Sequence, residues 1–157
     1  MNSNNAFSRL YNIMRYAHGI HQQKLLSMQE RCRQAKTVED LRRLASDIQS
    51  FSDELHMHHT LEDRHLFPSI ARKIDITHLE THHEQLTKLL KEFENCSIRL
   101  KRVANSSEDI KSALTDATAM ISKVSKLVIE HETAEEQVIA PENLKKVFTE
   151  QEIRQLF

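Results

Sequence analysis

His56 to Pro68 reads HMHHTLEDRHLFP, with four of the chain's ten histidines in thirteen residues. Upstream, Leu41, Leu44, Ile48, Phe51 and Leu55 recur at steps of three and four, the mark of one helix stripe facing a partner. The same stepping predicts His58, Glu62 and His65 as the next inward positions. A stripe that is apolar for four turns thus becomes imidazole and carboxylate while still pointing inward. Burying such groups is unfavourable unless something pairs with them. A bound metal ion does so, and a His and a Glu four residues apart stack on one helix face.

The rest of the composition predicts an all-α domain. In 157 residues there are one Gly and two Pro, little material for turns, while charged residues make up 29% of the chain. One domain with a real core over residues 1–157 fits this length. A net charge of −1 gives no electrostatic case for nucleic acid or an anionic membrane. No apolar run approaches the roughly 20 residues of a spanning helix, and MNSNNAFSRL lacks the apolar stretch of a secretion signal. Cys32 and Cys96 have no zinc-type spacing and are expected as core thiols. A cytoplasmic protein is the expectation.

Four long helices and a short tail follow from the periodicity. The first runs from about Phe7 to Ala35, with Tyr11, Met14, His18, His21, Leu25, Met28 and Cys32 inward. The second opens at Thr37, capped as TVED, and reaches about Phe67, where Pro68 kinks or ends it. The third starts near Thr77, where THLE reads as a capping box, with His82, Leu86, Leu89, Phe93, Cys96 and Leu100 inward. The fourth starts at Ser106 or Ser107 and carries Ile110, Leu114, Ala117, Ile121, Val124, Val128, His131 and Glu135 inward until Pro141. TEQE at Thr149 opens a short terminal helix to Phe157. Short connections make neighbours antiparallel, hence an up-down-up-down four-helix bundle.

In that bundle the polar interruptions meet. At 1.5 Å per residue, His18 and His58 lie roughly 27 and 33 Å from the first turn, and His82 and His131 roughly 35 and 39 Å from the Asn105 turn. All four helices therefore bring His to about one level. The inward groups there are His18, His58, Glu62, His78, His82, His131 and Glu135, five imidazoles and two carboxylates. One ion cannot use them all. Two can, with both carboxylates and an oxo or hydroxo bridge shared, three His on one ion and two on the other. The second ion then keeps a position open for a small molecule. Mixed imidazole and carboxylate ligation of this kind suits iron better than zinc or calcium. His21 shares the stripe with His18 and is the alternative ligand or a pocket residue. His83 is the rival on the third helix. His56 and His59 flank the stripe and are expected in solvent, and His65 is expected beside the ligands or capping the bundle end. Leu25, Leu55, Leu86 and Val128 would wall the pocket.

These motifs resemble the hemerythrin family, above all its stand-alone HHE cation-binding members. The matching residues are His18, HHTLED with LFP in the second helix, His78 with His82, HETAEE in the fourth helix and PENLKKVFTEQE in the tail. The resemblance implies a myohemerythrin-type bundle and a non-haem di-iron centre that binds dioxygen or senses oxygen or iron, and it favours His18 as the first-helix ligand. Hemerythrins proper place an Asp five residues after the last His. Here Glu135 stands at plus four and Glu136 at plus five, and the inward register favours Glu135. An enzyme acting on peroxide, nitric oxide or another small oxidant would use the same centre. A structural bundle binding adventitious zinc is a further alternative. A ferritin-like Glu-x-x-His pairing fits Glu62 with His65 and Glu80 with His83, but these fall on adjacent helices, and helix one offers no Glu near His18.

Overall fold

Apolar residues at helical spacing, closed by caps, set the architecture. The computed structural model describes residues 4–106 and 109–156, with side chains from residue 6 on. Helix α1 spans Asn4–Gln34 and α2 spans Val38–Leu61. A π-helical turn, Glu62–Leu66, and a last α-turn, α3 (Phe67–Ile70), carry the same rod on. Helices α4 (Thr77–Ala104), α5 (Ile110–Val138), α6 (Pro141–Val147) and α7 (Glu150–Arg154) follow, with no strand among the described residues.

The caps explain where the helices begin. At α2, Asp40 N–H donates to Thr37 Oγ1 at 3.1 Å while Thr37 N–H donates to Asp40 Oδ2 at 3.0 Å, the expected reciprocal box. At α4 the expected Thr77 cap is replaced. Asp75 Oδ1 accepts from Thr77 N–H at 3.0 Å and from its hydroxyl at 2.7 Å, so Thr77 becomes the first helical residue. At α5 the cap is Asp109, accepting from Lys111 N–H at 3.0 Å, whereas Ser106 lies outside the helix and Ser107 outside the described residues. Pro141 does not merely stop α5. It opens α6, a helix that the tail pattern alone does not suggest, since a prolyl residue fits a first helical turn. The Thr149–Glu152 box opens α7 as expected, and Phe157 lies outside the described residues.

Helix α1 packs on α2 and α5, and α4 packs on the same two. Contacting residues run in opposite order along each pair. Lys24 and Arg31 of α1 meet Glu54 and Asp47 of α2, and His82 and Arg99 of α4 meet Glu130 and Asp116 of α5. Ser97 Oγ donates to the Ala45 carbonyl at 2.7 Å, tying α4 to α2.

The interior has three layers. A large core of Leu25, Met28, Leu41, Leu44, Ile48, Phe51, Leu55, Leu86, Phe93, Leu100, Ile121, Val124 and Val128 fills one end. A second core of Phe7, Leu10, Met14, Leu66, Phe67, Ile70, Leu79, Ile139, Leu144, Phe148 and Ile153 fills the other, with the tail helices as its lid. Lys73 holds that lid by donating to the Val147 carbonyl at 2.9 Å and to Glu152 at 3.1 Å. Between the two cores every long helix buries polar residues: His18 and His21, His59 and Glu62, His83, and His131, Glu132 and Glu135. Cys32 is buried and Cys96 half-buried, both as free thiols. No described helix is long and apolar enough to cross a membrane.

Candidate metal centre

Each converging side chain follows from the stripe that delivers it. On α2, His58 and His59 stand three and four residues after the buried Leu55, so both turn inward, and Glu62 lies one turn further. Past Glu62 the turn widens: Phe67 N–H reaches the Glu62 carbonyl five residues back. Pro68 has no N–H for an ordinary turn and its ring would clash with the carbonyl four residues earlier, so the wider turn relieves it. The extra residue rotates Leu66 inward and leaves His65 exposed, which corrects the expectation of an inward His65.

Two groups of side chains converge. His59, Glu62, His83 and His131 place ligand atoms within 4.8 Å of one another, and so do His18, His58, Glu62 and Glu135. Glu62 belongs to both: its Oε1 lies 3.5 Å from His58 Nε2 and 3.3 Å from His83 Nε2. Glu135 also reaches both, with Oε1 at 3.2 Å from His18 Nε2 and Oε2 at 3.3 Å from His131 Nε2. His83 Nε2 and His131 Nε2 face each other at 3.0 Å. Three imidazoles and two shared carboxylates thus stand on one side, two imidazoles and the same carboxylates on the other.

Outer contacts aim these rings. His83 Nδ1 meets Asp63 at 2.7 Å, His18 Nδ1 meets Glu136 at 3.2 Å and His131 Nδ1 meets His82 Nδ1 at 3.3 Å. Each ring therefore spends Nδ1 outward and turns Nε2 inward, the arrangement that fixes imidazole ligands in metal sites. Phe67 stacks on His83 from the second core at 4.7 Å between centroids.

The electrostatics describe a centre short of positive charge. His58 Nε2, both Glu62 oxygens and Glu135 Oε2 are buried without a hydrogen-bond partner, which is unfavourable in the absence of a cation. Burial, and then the charge of Glu135, push the Glu62 carboxyl well above the usual range. Burial works on Glu135 in the same sense, but the contacts from His131 and His18 outweigh it and hold Glu135 well below that range. The two carboxylates do not both ionise together without a cation between them. Burial lowers His58 and His59, leaving their lone pairs free. Burial lowers His18 too, yet its contact with Glu135 and the charges of Glu132 and Glu135 raise it from 6.5 to about 9.

Of the residues singled out by pattern, the fold brings together His18, His58, Glu62, His131 and Glu135. His78 is exposed and His82 only half-buried, and both stand outside the two groups. His83 and His59 stand inside them, 4% and 5% exposed. On α4 the buried stripe shares Leu86, Phe93 and Leu100 with the expected one but takes His83, Leu90 and Ser97 in place of His82, Leu89 and Cys96. Leu79, His83, Leu86, Leu90, Phe93, Ser97 and Leu100 are buried, while Leu89 and Cys96 are only partly so. Leu89 and Leu90 read equally well either way, and Ser97, a polar residue that spacing does not favour as inward, is buried with its hydroxyl bonded to the Ala45 carbonyl. On α2 a single line of stepping hides His59, because Leu55 has two inward successors. The expectation of a solvated His59 is thus corrected by its burial.

Residues 9–142, most of the chain, match the hemerythrin HHE cation-binding domain. A search of curated proteins and a search of solved structures each return no match. With His and Glu converging from four helices and a match over that span, the chain belongs to the hemerythrin HHE cation-binding family.

Proposed function

We propose that the chain is a single antiparallel up-down-up-down bundle around a carboxylate-bridged di-iron centre that binds dioxygen or a similar small ligand, or uses it to sense oxygen or iron. The observation that carries this reading is the sharing of Glu62, both of whose buried oxygens lack a hydrogen-bond partner, between two convergent groups. The reversed order of contacts between neighbouring helices supports the bundle topology. In this reading His59, His83 and His131 hold one ion, His18 and His58 the other, and Glu62 and Glu135 span both. His59 and His83 replace His78 and His82 in the ligand set expected from the pattern.

The donor set of imidazole nitrogen and carboxylate oxygen fits iron. Bound iron would supply a redox-active position for a small molecule. The two-histidine side has one protein ligand fewer, so the vacant position belongs there. Asp63, Glu136 and His82 keep three rings in place through Nδ1. Buried Leu25, Leu55, Leu86 and Val128 keep water from the adjoining layer.

Anaerobic loading with Fe(II), followed by elemental analysis, tests the centre. Two ions per chain are expected, with iron lost in His59→Ala and His83→Ala and kept in His78→Ala. On air oxidation, added azide should perturb the ferric charge-transfer band. One ion per chain, or zinc retained in preference to offered iron, overturns the reading.

A further inference from the structure

Among the described residues, one buried acid stands outside both groups. Glu132 is 1% exposed. It follows His131 on α5 and so turns toward α1. Its Oε2 lies 2.7 Å from His21 Nδ1 and 3.9 Å from His18 Nε2, and its Oε1 accepts from Gln22 Nε2 at 3.2 Å. His21 in turn packs edge-on against His58, with centroids 5.0 Å apart. Two donors from α1 thus hold the carboxylate beside the two-histidine position and turn it away from ligation. His21 Nδ1 and the Gln22 side-chain amide thus anchor that carboxylate to α1.

We propose that Glu132 is a third carboxylate of the centre, one that ligates neither ion and biases it toward trivalent over divalent cations. The inference rests on the reading of two cation positions bridged by Glu62 and Glu135. Coulomb attraction scales with the charge of the cation and is weakly screened in a buried layer. A fixed negative charge a few ångströms from the His18–His58 position therefore stabilises a 3+ ion more than a 2+ ion. Glu62 and Glu135 act in the same sense, but as ligands their removal also removes the site. Glu132 adds the charge without the bond, so its contribution is separable. His21 and Gln22 are positioning residues in this scheme, and His21 needs no place in the ligand set.

The test uses the metal-free full chain with Ga(III), a redox-inert trivalent probe, and Zn(II), each in chelator-buffered solution. Wild type and Glu132→Gln should both bind two ions. The ratio of Ga(III) to Zn(II) affinity should fall about tenfold or more in Glu132→Gln, and Glu132→Asp should keep most of it. Gln22→Arg, which sets a fixed positive charge beside an intact Glu132, should lower the ratio in the same direction and covers failure of Glu132→Gln to fold. An unchanged ratio in either charge-cancelling variant overturns the inference. Loss of one ion in Glu132→Gln overturns it as well, because Glu132 would then be a ligand. Wild type binding a single ion contradicts the two-position reading instead, while the ratio at that ion still reports on Glu132.

Discussion

The aliphatic core and the histidine layer are built by the same four helices with the same helical period, and they differ only in what the inward positions carry. Around Phe51 and Phe93 the inward groups are almost all apolar and need no polar partner: the two rings pack edge to face at 6.3 Å between centroids, the leucines about them are buried, and Ser52 Oγ is a lone buried hydroxyl beside them without a hydrogen-bond partner. One turn beyond Leu55 and Leu86, the inward groups are imidazoles and carboxylates, of which His58 Nε2, both Glu62 oxygens and Glu135 Oε2 have no hydrogen-bond partner. The first region stabilises the fold by itself, each large side chain contributing about 1.5–3 kcal/mol on burial. The second takes its stability from the core beneath it and from the lid of α6 and α7 above it until cations arrive. A second apolar core on the far side of the polar layer holds that layer in place from both ends.

The largest effect separates the two regions. Phe93→Ala should lower stability by about 3–5 kcal/mol in urea unfolding, while the folded fraction still binds iron at wild-type stoichiometry. Loss of iron in that folded fraction would mean that the layers are not independent.

Next comes the pH dependence of the metal-free protein. His18 is raised from 6.5 to about 9 by its carboxylate neighbours. Its contribution is fully present below the unfolded value near 6.5, and it is lost as pH rises through the folded value. Metal-free protein should therefore lose at most about 3 kcal/mol between these two values. Glu62, also raised, acts with the same sign from its lower unfolded value upward. Iron-loaded protein should lack the alkaline loss, because a ligating His18 has already given up its proton. Thermal melts at stepped pH, with and without iron, show whether the difference exists.

Iron itself should add about 2.7 kcal/mol at a free concentration one hundred times Kd, seen as a melting temperature that climbs with free Fe(II). A flat melting curve would remove the layer's dependence on cations. The smallest effect is that of Glu136→Gln. This half-buried residue orients His18 through Nδ1 and pairs with Arg15 at 3.4 Å. The variant should weaken binding at the two-histidine position without emptying it, whereas Glu135→Gln should empty it. Iron titrations of the two variants rank them.

Legibility in the sequence follows the same division. The aliphatic stripes of α1, α2 and α5 are plain in the spacing, and where they run unbroken into His18, His58, Glu62, His131 and Glu135, the inward groups follow. Where two neighbouring residues could each continue a stripe, spacing alone does not choose. Leu89 against Leu90 hides His83, and the two inward successors of Leu55 hide His59. The helix over Pro141–Val147 has one local signal, the proline in its first turn, and Leu144 seats it in the second core, a tertiary contact that spacing does not show. The π-turn at Glu62 is foreshadowed only by Pro68. Glu132 escapes pattern reading because it faces α1, off the stripe that carries His131 and Glu135.

The most direct test of the shared-carboxylate centre is an anomalous difference map, collected at the iron edge from crystals of the loaded protein. Two peaks roughly 3.5–4 Å apart are expected, both in contact with Glu62 and Glu135, one beside His59, His83 and His131 and the other beside His18 and His58. A single peak, or a peak coordinated by His78 or His82, would contradict the account.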